Sequence, residues 1–253
     1  MSTESWSAAG SEQENGRDTP VLRIRNLSKS FDIHDVGRHI SACRNINLSV
    51  NSGEFIGITG KSGSGKSTVL KMIYRSYLPQ EGKVVYRSRA FGEMDLSRAE
   101  ERSIIYLRRY EIGYVSQFLH VIPRTSARSI VEKAVLEMGE QESSAREKAE
   151  QMLQHFELSP ELWDSYPMTF SGGEKLRLNI ARAMIKEPRL LLLDEPTASL
   201  DAHSKKKVRE LIRRLKEKGT TMLGIFHDLD FMRGLCDRTH IMTDGVLEAT
   251  NEG

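Results

Sequence analysis

Apolar positions change their period several times along the chain, and each change predicts an element. Residues 21–31, "VLRIRNLSKSF", alternate apolar and polar side chains, the period-2 signature of a half-buried strand. Residues 40–60, "ISACRNINLSVNSGEFIGITG", predict two further strands parted by the turn "NSGE". From Lys66, Val69, Met72, Ile73 and Tyr77 recur at helical spacing until Pro79 and Gly82 end the pattern. From about Glu100 the chain is helical and densely charged, with "SIVEKAVLEMGEQ" and "ESSAREKAEQMLQHFEL" as two amphipathic segments. "RLLLLDEP" is instead a short unbroken apolar run closed by a proline, as expected of a parallel strand buried on both faces. A helix over "AHSKKKVRELIRRLKEKG", a strand "TMLGIFHD" and a hairpin "THIMTDGVL" follow. Strands interleaved with helices predict an α/β fold.

Composition narrows the function classes. At 253 residues the chain suits one large domain or two lobes with an ample core. Residues 1–20 are polar, lack an apolar stretch and read as a disordered tail, not as a secretion signal. No apolar run approaches the roughly 20 residues that span a bilayer, so no direct membrane insertion is expected. A formal net charge of +2 gives no case for nucleic-acid binding. The basic residues of 202–219 are most simply the solvated face of a helix that turns Val208, Leu211, Ile212 and Leu215 inward. Cys43 and Cys236 belong to no motif and predict buried thiols in a reducing cytoplasm. Trp163 is expected in the core.

The chemistry begins at "GKSGSGKST", which matches G-x-x-x-x-G-K-[ST] between a predicted strand and a predicted helix. Backbone N–H groups of Gly60, Lys61, Ser62, Gly63, Ser64, Gly65, Lys66, Ser67 and Thr68 can wrap phosphates there. Lys66 can reach the β and γ phosphates, and the Ser67 hydroxyl can ligate Mg²⁺. Asp194 and Glu195 follow the apolar strand "LLLL". Adjacent residues at a strand end point in different directions, so one carboxylate can serve the metal while the other polarises an attacking water. His227 ends "TMLGIFHD", and strand C-termini are where parallel sheets gather ligand groups. It can hydrogen-bond a γ-phosphate or serve the core, whereas His34, His39, His120, His155, His203 and His240 are read as structural. Gln117, after the strand-like "GYVS", can orient water or complete a Mg²⁺ shell, or simply occupy a surface turn.

Ser171, Gly172, Gly173 and Glu174 open another helix. Ser-x-x-Glu is a capping box, which accounts for the serine and the glutamate. Two side-chain-free residues at the same place predict a close approach to the backbone.

Taken in order, Gly60 to Thr68, Gln117, Ser171-Gly172-Gly173, Asp194-Glu195, Ser199-Leu200-Asp201 and His227 resemble the ATP-binding-cassette ATPase family from about residue 21 onward. The resemblance implies a P-loop fold with a mainly parallel nucleotide-binding core, an antiparallel β subdomain and a helical lobe. The core would cover about 21–118 and 188–253 and the lobe about 119–187. It implies ATP and Mg²⁺ as cofactors, Phe31 stacked on adenine, Glu195 as general base, and Asp201 contacting across a dimer. Ser171, Gly172 and Gly173 would complete the site of a second such subunit, in a homo- or heterodimer. Phe170 and Glu174 stand where the family often has Leu and Gln. The segments "YRSYLPQEGKV", "GYVSQFLHVIPRTSA", "SPELWDSYPMTFSGGE" and "LLLDEPTASLDA" with "GIFHD" resemble PhnL-type ATP-binding subunits of the bacterial carbon-phosphorus lyase system. That likeness implies a cytoplasmic ATPase bound to soluble lyase core subunits that form ribose 1-methylphosphonate 5-triphosphate. The same "FLHVIPRTSARSIVE" region also resembles ATPases of lipoprotein or macrolide exporters, the alternative reading.

Overall fold

The computed structural model describes residues 20–33, 38–117, 119, 124–198 and 200–250. The tail over 1–19, His34, His120, Ser199 and most of "FLHVIP" lie outside the described residues.

Alternation writes itself first into an antiparallel sheet. Strands β1 (Pro20–Ile33), β2 (Arg38–Asn51), β4 (Glu81–Ser88) and β5 (Gly92–Asp95) pair in the order β2-β1-β4-β5. Leu22, Ile24 and Leu27 of β1 turn to one buried face with Val84 and Tyr86 of β4. The β4–β5 hairpin has no counterpart in the sequence reading, because its apolar alternation is only Val84 and Tyr86 deep.

A second sheet carries the site. It runs β10-β9-β3-β8-β7-β6, built from β3 (Phe55–Thr59), β6 (Ile112–Val115), β7 (Leu190–Asp194), β8 (Thr221–Ile225), β9 (Arg238–Thr243) and β10 (Val246–Thr250). Every neighbouring pair is parallel except the β9–β10 hairpin. β7 explains its unbroken leucines: Leu190 and Leu192 pack into one core with Ile56, Ile58 and Ile225, while Leu191 and Leu193 pack into another with Phe55 and Met222. Both faces of the strand are covered, so period 2 yields no polar positions. Fully burying each leucine contributes about 2 kcal/mol, so a charged replacement at any of the four would break the sheet's centre.

Helices α1 (Lys66–Ile73) and α2 (Glu101–Tyr110) cover the first face, while α3 (Ala127–Leu136), α4 (Glu142–His155), α5 (Gly172–Met184), α6 (Ala202–Glu217) and the short α7 (Leu229–Met232) contribute to the second core. Helix α6 buries Val208, Leu211, Ile212 and Leu215, as its spacing predicts. Helix α1 stops at Ile73 and does not run to Tyr77. Arg75 takes the left-handed φ of 66°, and the N–H groups of Ser76 and Tyr77 both donate to the Lys71 carbonyl, turning the chain before Pro79 is reached. No helix of the described residues is long and apolar enough to cross a membrane.

Cys43 is buried and Cys236 half-buried, both as free thiols. Trp163 is half-buried at the edge of the second core, its indole N–H donating to the Leu158 carbonyl at 2.9 Å. Of the histidines read as structural, His240 is buried on β9 and His203 is exposed on α6.

Candidate nucleotide site

Strand β3 ends at Thr59, and the chain then turns through Gly60, Gly63 and Gly65 at φ 144°, 80° and 103°. Only glycine adopts such angles without strain. Two of the three are also crowded: a Cβ would lie 2.2 Å from the Met242 carbonyl oxygen at Gly60 and 1.9 Å from that of Ala42 at Gly65. The loop therefore wraps against β2 and β9 and delivers the free N–H groups of the first turn of α1 to its hollow. Lys66, only 3% exposed, donates to the Gly60 and Lys61 carbonyls, each at 2.9 Å. Burial lowers its pKa, against the opposing pull of Glu195 and Asp194. The Ser64 hydroxyl is buried without a hydrogen-bond partner among the described residues.

Strand register brings the next groups to the same end of the sheet. Ser67 donates from Oγ to Asp194 Oδ1 at 2.8 Å, and the Tyr114 hydroxyl donates to Asp194 Oδ2 at 2.6 Å. Ser67, Asp194, Tyr114 and Gln117 line one cleft of about 520 Å³, with Gln117 itself exposed at its rim. Glu195, at the left-handed φ of 51°, anchors its N–H on the Ile225 carbonyl at 3.2 Å. Its Oε1 lies 2.7 Å from His227 Nε2, and the two residues share a second cleft of about 640 Å³. The two adjacent carboxylates thus point apart, Asp194 toward Ser67 and Glu195 toward His227. Phe31 is half-buried on β1, edge-on to Tyr77 with ring centroids 5.3 Å apart, and lines neither cleft.

Around Ser171 the contacts are local. Glu174 Oε2 accepts from the Ser171 N–H at 2.8 Å and from the Ser171 hydroxyl at 2.9 Å, while the Glu174 N–H donates to Ser171 Oγ at 3.3 Å. The capping box is complete and the carboxylate turns back on its own helix start. The two glycines, expected to serve one purpose, part company. Gly172 is exposed, but Gly173 is buried, and a Cβ on it would lie 2.9 Å from the Ser204 hydroxyl oxygen of α6. Packing within the chain accounts for Gly173. Asp201 caps α6, accepting from the Ser204 N–H and hydroxyl, both at 2.9 Å. Phe170, 4% exposed, fills the second core.

The ABC transporter family model matches residues 43–198, from β2 through the P-loop, the Ser171 helix and the Asp194–Glu195 pair. The chain is a member of that family. The lipoprotein-releasing system ATP-binding protein LolD of Aquifex aeolicus is 37% identical over 225 residues, covering 89% of this chain and 95% of the relative. The putative hemin import ATP-binding protein HrtA of Staphylococcus haemolyticus is 36% identical, covering 90% and 99%. Among solved structures, the dimeric post-hydrolysis state of the cassette MJ0796, bound to ADP and Pi, superposes with a TM-score of 0.81 at 29% identity, covering 92% of this chain and 100% of that one.

As an ABC ATPase, the chain carries a cassette that binds and hydrolyses ATP with Mg²⁺. Its loop fits that ligand: left-handed glycines shape a hollow at a helix start, the buried Lys66 ammonium gives two of its three N–H groups to the Gly60 and Lys61 carbonyls and keeps a third, and the buried Ser64 hydroxyl has no partner among the described residues. Three residues escaped the motif reading of this cassette. Tyr114 reaches Asp194, Asn179 of α5 donates to the Ser116 carbonyl at 3.0 Å just before Gln117, and Ser204 joins Asp201 to the Gly173 surface. Only Tyr114 left a trace in the sequence, as a polar-tipped residue near the end of a strand.

Proposed function

We propose that this cassette hydrolyses ATP as one half of a dimer that drives a membrane export system of the lipoprotein or macrolide type. The supporting observation is the reach of the similarity: about nine-tenths of the chain matches ATP-binding proteins of transport systems, and the lipoprotein-releasing relative, not the one named for hemin import, carries the export direction. The carbon-phosphorus lyase reading, with its soluble core subunits, rests on a few segments. The transport names favour the exporter alternative over it.

In this reading the backbone of Gly60 to Thr68 and the Lys66 ammonium would hold the phosphates, and Phe31 would face the adenine. Ser67, Asp194 and Gln117 would hold Mg²⁺, which when bound offsets phosphate charge and polarises the bond to be cut. Glu195 acts as general base, taking a proton from water. His227, at 2.7 Å, fixes which carboxylate oxygen of Glu195 is free to do so. Gly173 is buried, while Ser171, Gly172 and Asp201 are exposed and line neither cleft of their own chain. A second copy or a similar subunit would receive them, as the dimeric relative suggests. Ser171 would then exchange its bond to Glu174 for a phosphate of the neighbouring site.

Purification of the tagged protein from its native host tests the partner. An integral membrane protein should come with it, and deletion of the gene should leave growth on methylphosphonate intact. Recovery of soluble phosphonate-degrading subunits alone, with growth on methylphosphonate lost, would sink the exporter reading and reinstate the lyase one.

A further inference from the structure

Both oxygens of the Asp194 carboxylate accept a hydrogen bond from the protein, Oδ1 from Ser67 at 2.8 Å and Oδ2 from Tyr114 at 2.6 Å. Ser67 and Asp194 are two of the three residues assigned above to the metal, and Tyr114 occupies the Asp194 oxygen that Ser67 leaves. We infer that Tyr114 is a positioning residue of the magnesium site, whose hydroxyl locks the Asp194 carboxylate in the rotation that turns Oδ1 toward Ser67. This rests on the assignment of Asp194 to the metal.

The backbone makes the contact reproducible. Tyr114 on β6 pairs in parallel register with Leu192 on β7, and Asp194, two residues further, shares the face of Leu192. Tyr114 and Asp194 are therefore diagonal neighbours on one face of adjacent strands. The ring is held in turn: it lies tilted against Tyr74 with centroids 4.9 Å apart, and the Arg108 guanidinium sits 4.7 Å from the Tyr74 ring centroid. Arg108 also donates from Nε to the Tyr74 carbonyl at 2.9 Å, so this stack ties the segment after α1 to α2. The phenol hydroxyl is the donor of this bond and the Asp194 carboxylate the acceptor. A carboxylate held at one oxygen can still rotate about its terminal torsion, which is broad. A second donor removes that freedom, as partners behind metal ligands generally do.

Tyr114→Phe tests this, because it keeps the ring against Tyr74 and removes only the hydroxyl. A fluorescent ATP analogue is titrated into the full chain in EDTA, and the bound complex is then titrated with Mg²⁺. Nucleotide affinity in EDTA should be unchanged, while the Mg²⁺ midpoint should rise about 10-fold, the scale of losing a partner behind a metal ligand. Mn²⁺ binding read by electron paramagnetic resonance should weaken in parallel. Loss of affinity in EDTA equal to that in Mg²⁺ would mark a damaged pocket and overturn the inference. Asp194→Asn separates the remaining failures. An unmoved midpoint in Tyr114→Phe beside a shifted one in Asp194→Asn overturns the role of Tyr114 alone. Two unmoved midpoints overturn the metal assignment and the inference with it.

Discussion

At the P-loop, Lys66 and Ser67 come from the start of α1, Asp194 from the end of β7 with Glu195 just after it, and His227 from two residues past the end of β8. At the start of α5, Ser171 and Glu174 satisfy one another within four consecutive residues. The first region is assembled by the sheet. Its polar atoms are tied to partners as far as 127 positions away along the chain, as Ser67 is to Asp194. The second is closed by local bonds alone and stays exposed at Ser171 and Gly172. A preorganised pocket can hold a ligand by itself, whereas an exposed helix start contributes only when a second surface brings the ligand to it. The contrast therefore predicts that damage at the P-loop is felt by a single chain and damage at Ser171 only by a pair.

The largest effect tests the first half. Lys66→Ala should abolish nucleotide binding by the isolated chain, measured by fluorescence or calorimetry; retained binding would mean that the loop backbone suffices. Glu195→Gln should keep binding but slow turnover by about 10²-fold or more, the usual cost of a lost general base. An unchanged steady-state phosphate release rate would remove Glu195 from that role.

Mixing sharpens the comparison further. In a dimer of one Lys66→Ala chain with one Ser171→Arg chain, both lesions fall on one shared site and leave the other whole. Such mixed dimers should recover activity that neither parent has, at up to half of the sites. Continued inactivity, with heterodimer formation verified by mass, would return Ser171 to its own chain's site.

The smallest effect is at the cap. Glu174→Ala removes the reciprocal half of the capping box and should cost about 1 kcal/mol in denaturant unfolding. Nucleotide affinity of the single chain should not move. If it falls with Glu174→Ala as it does with Lys66→Ala, the two regions are not separate and the contrast fails.

The local half of this cassette was readable without coordinates. The P-loop glycines, the capping box at Ser171, the inward face of α6 and the doubly buried β7 each follow from a period or a spacing within one element. Even the departure at Glu174 was legible, since a carboxylate three residues after a serine has its own helix start to satisfy. Less was legible of the ends and junctions. Helix α1 was read four residues too long, because Tyr77 keeps the helical spacing even though Arg75 has already turned the chain. The β4–β5 hairpin lacked a strong alternation, and Gly173 looked like Gly172 until α6 was laid against it.

What the sequence by itself determined is therefore the set of groups that can meet a phosphate, and the elements that carry them. Which of those groups meet one another was decided by tertiary structure. The bond from Tyr114 to Asp194, that from Asn179 to Ser116, and the division of the carboxylates between Ser67 and His227 depend on how β6, β7, β8 and α5 are placed side by side. The physical reason is that hydrophobic period specifies which face of an element is buried, while the choice of neighbour and the register between distant strands come from packing the whole core at once.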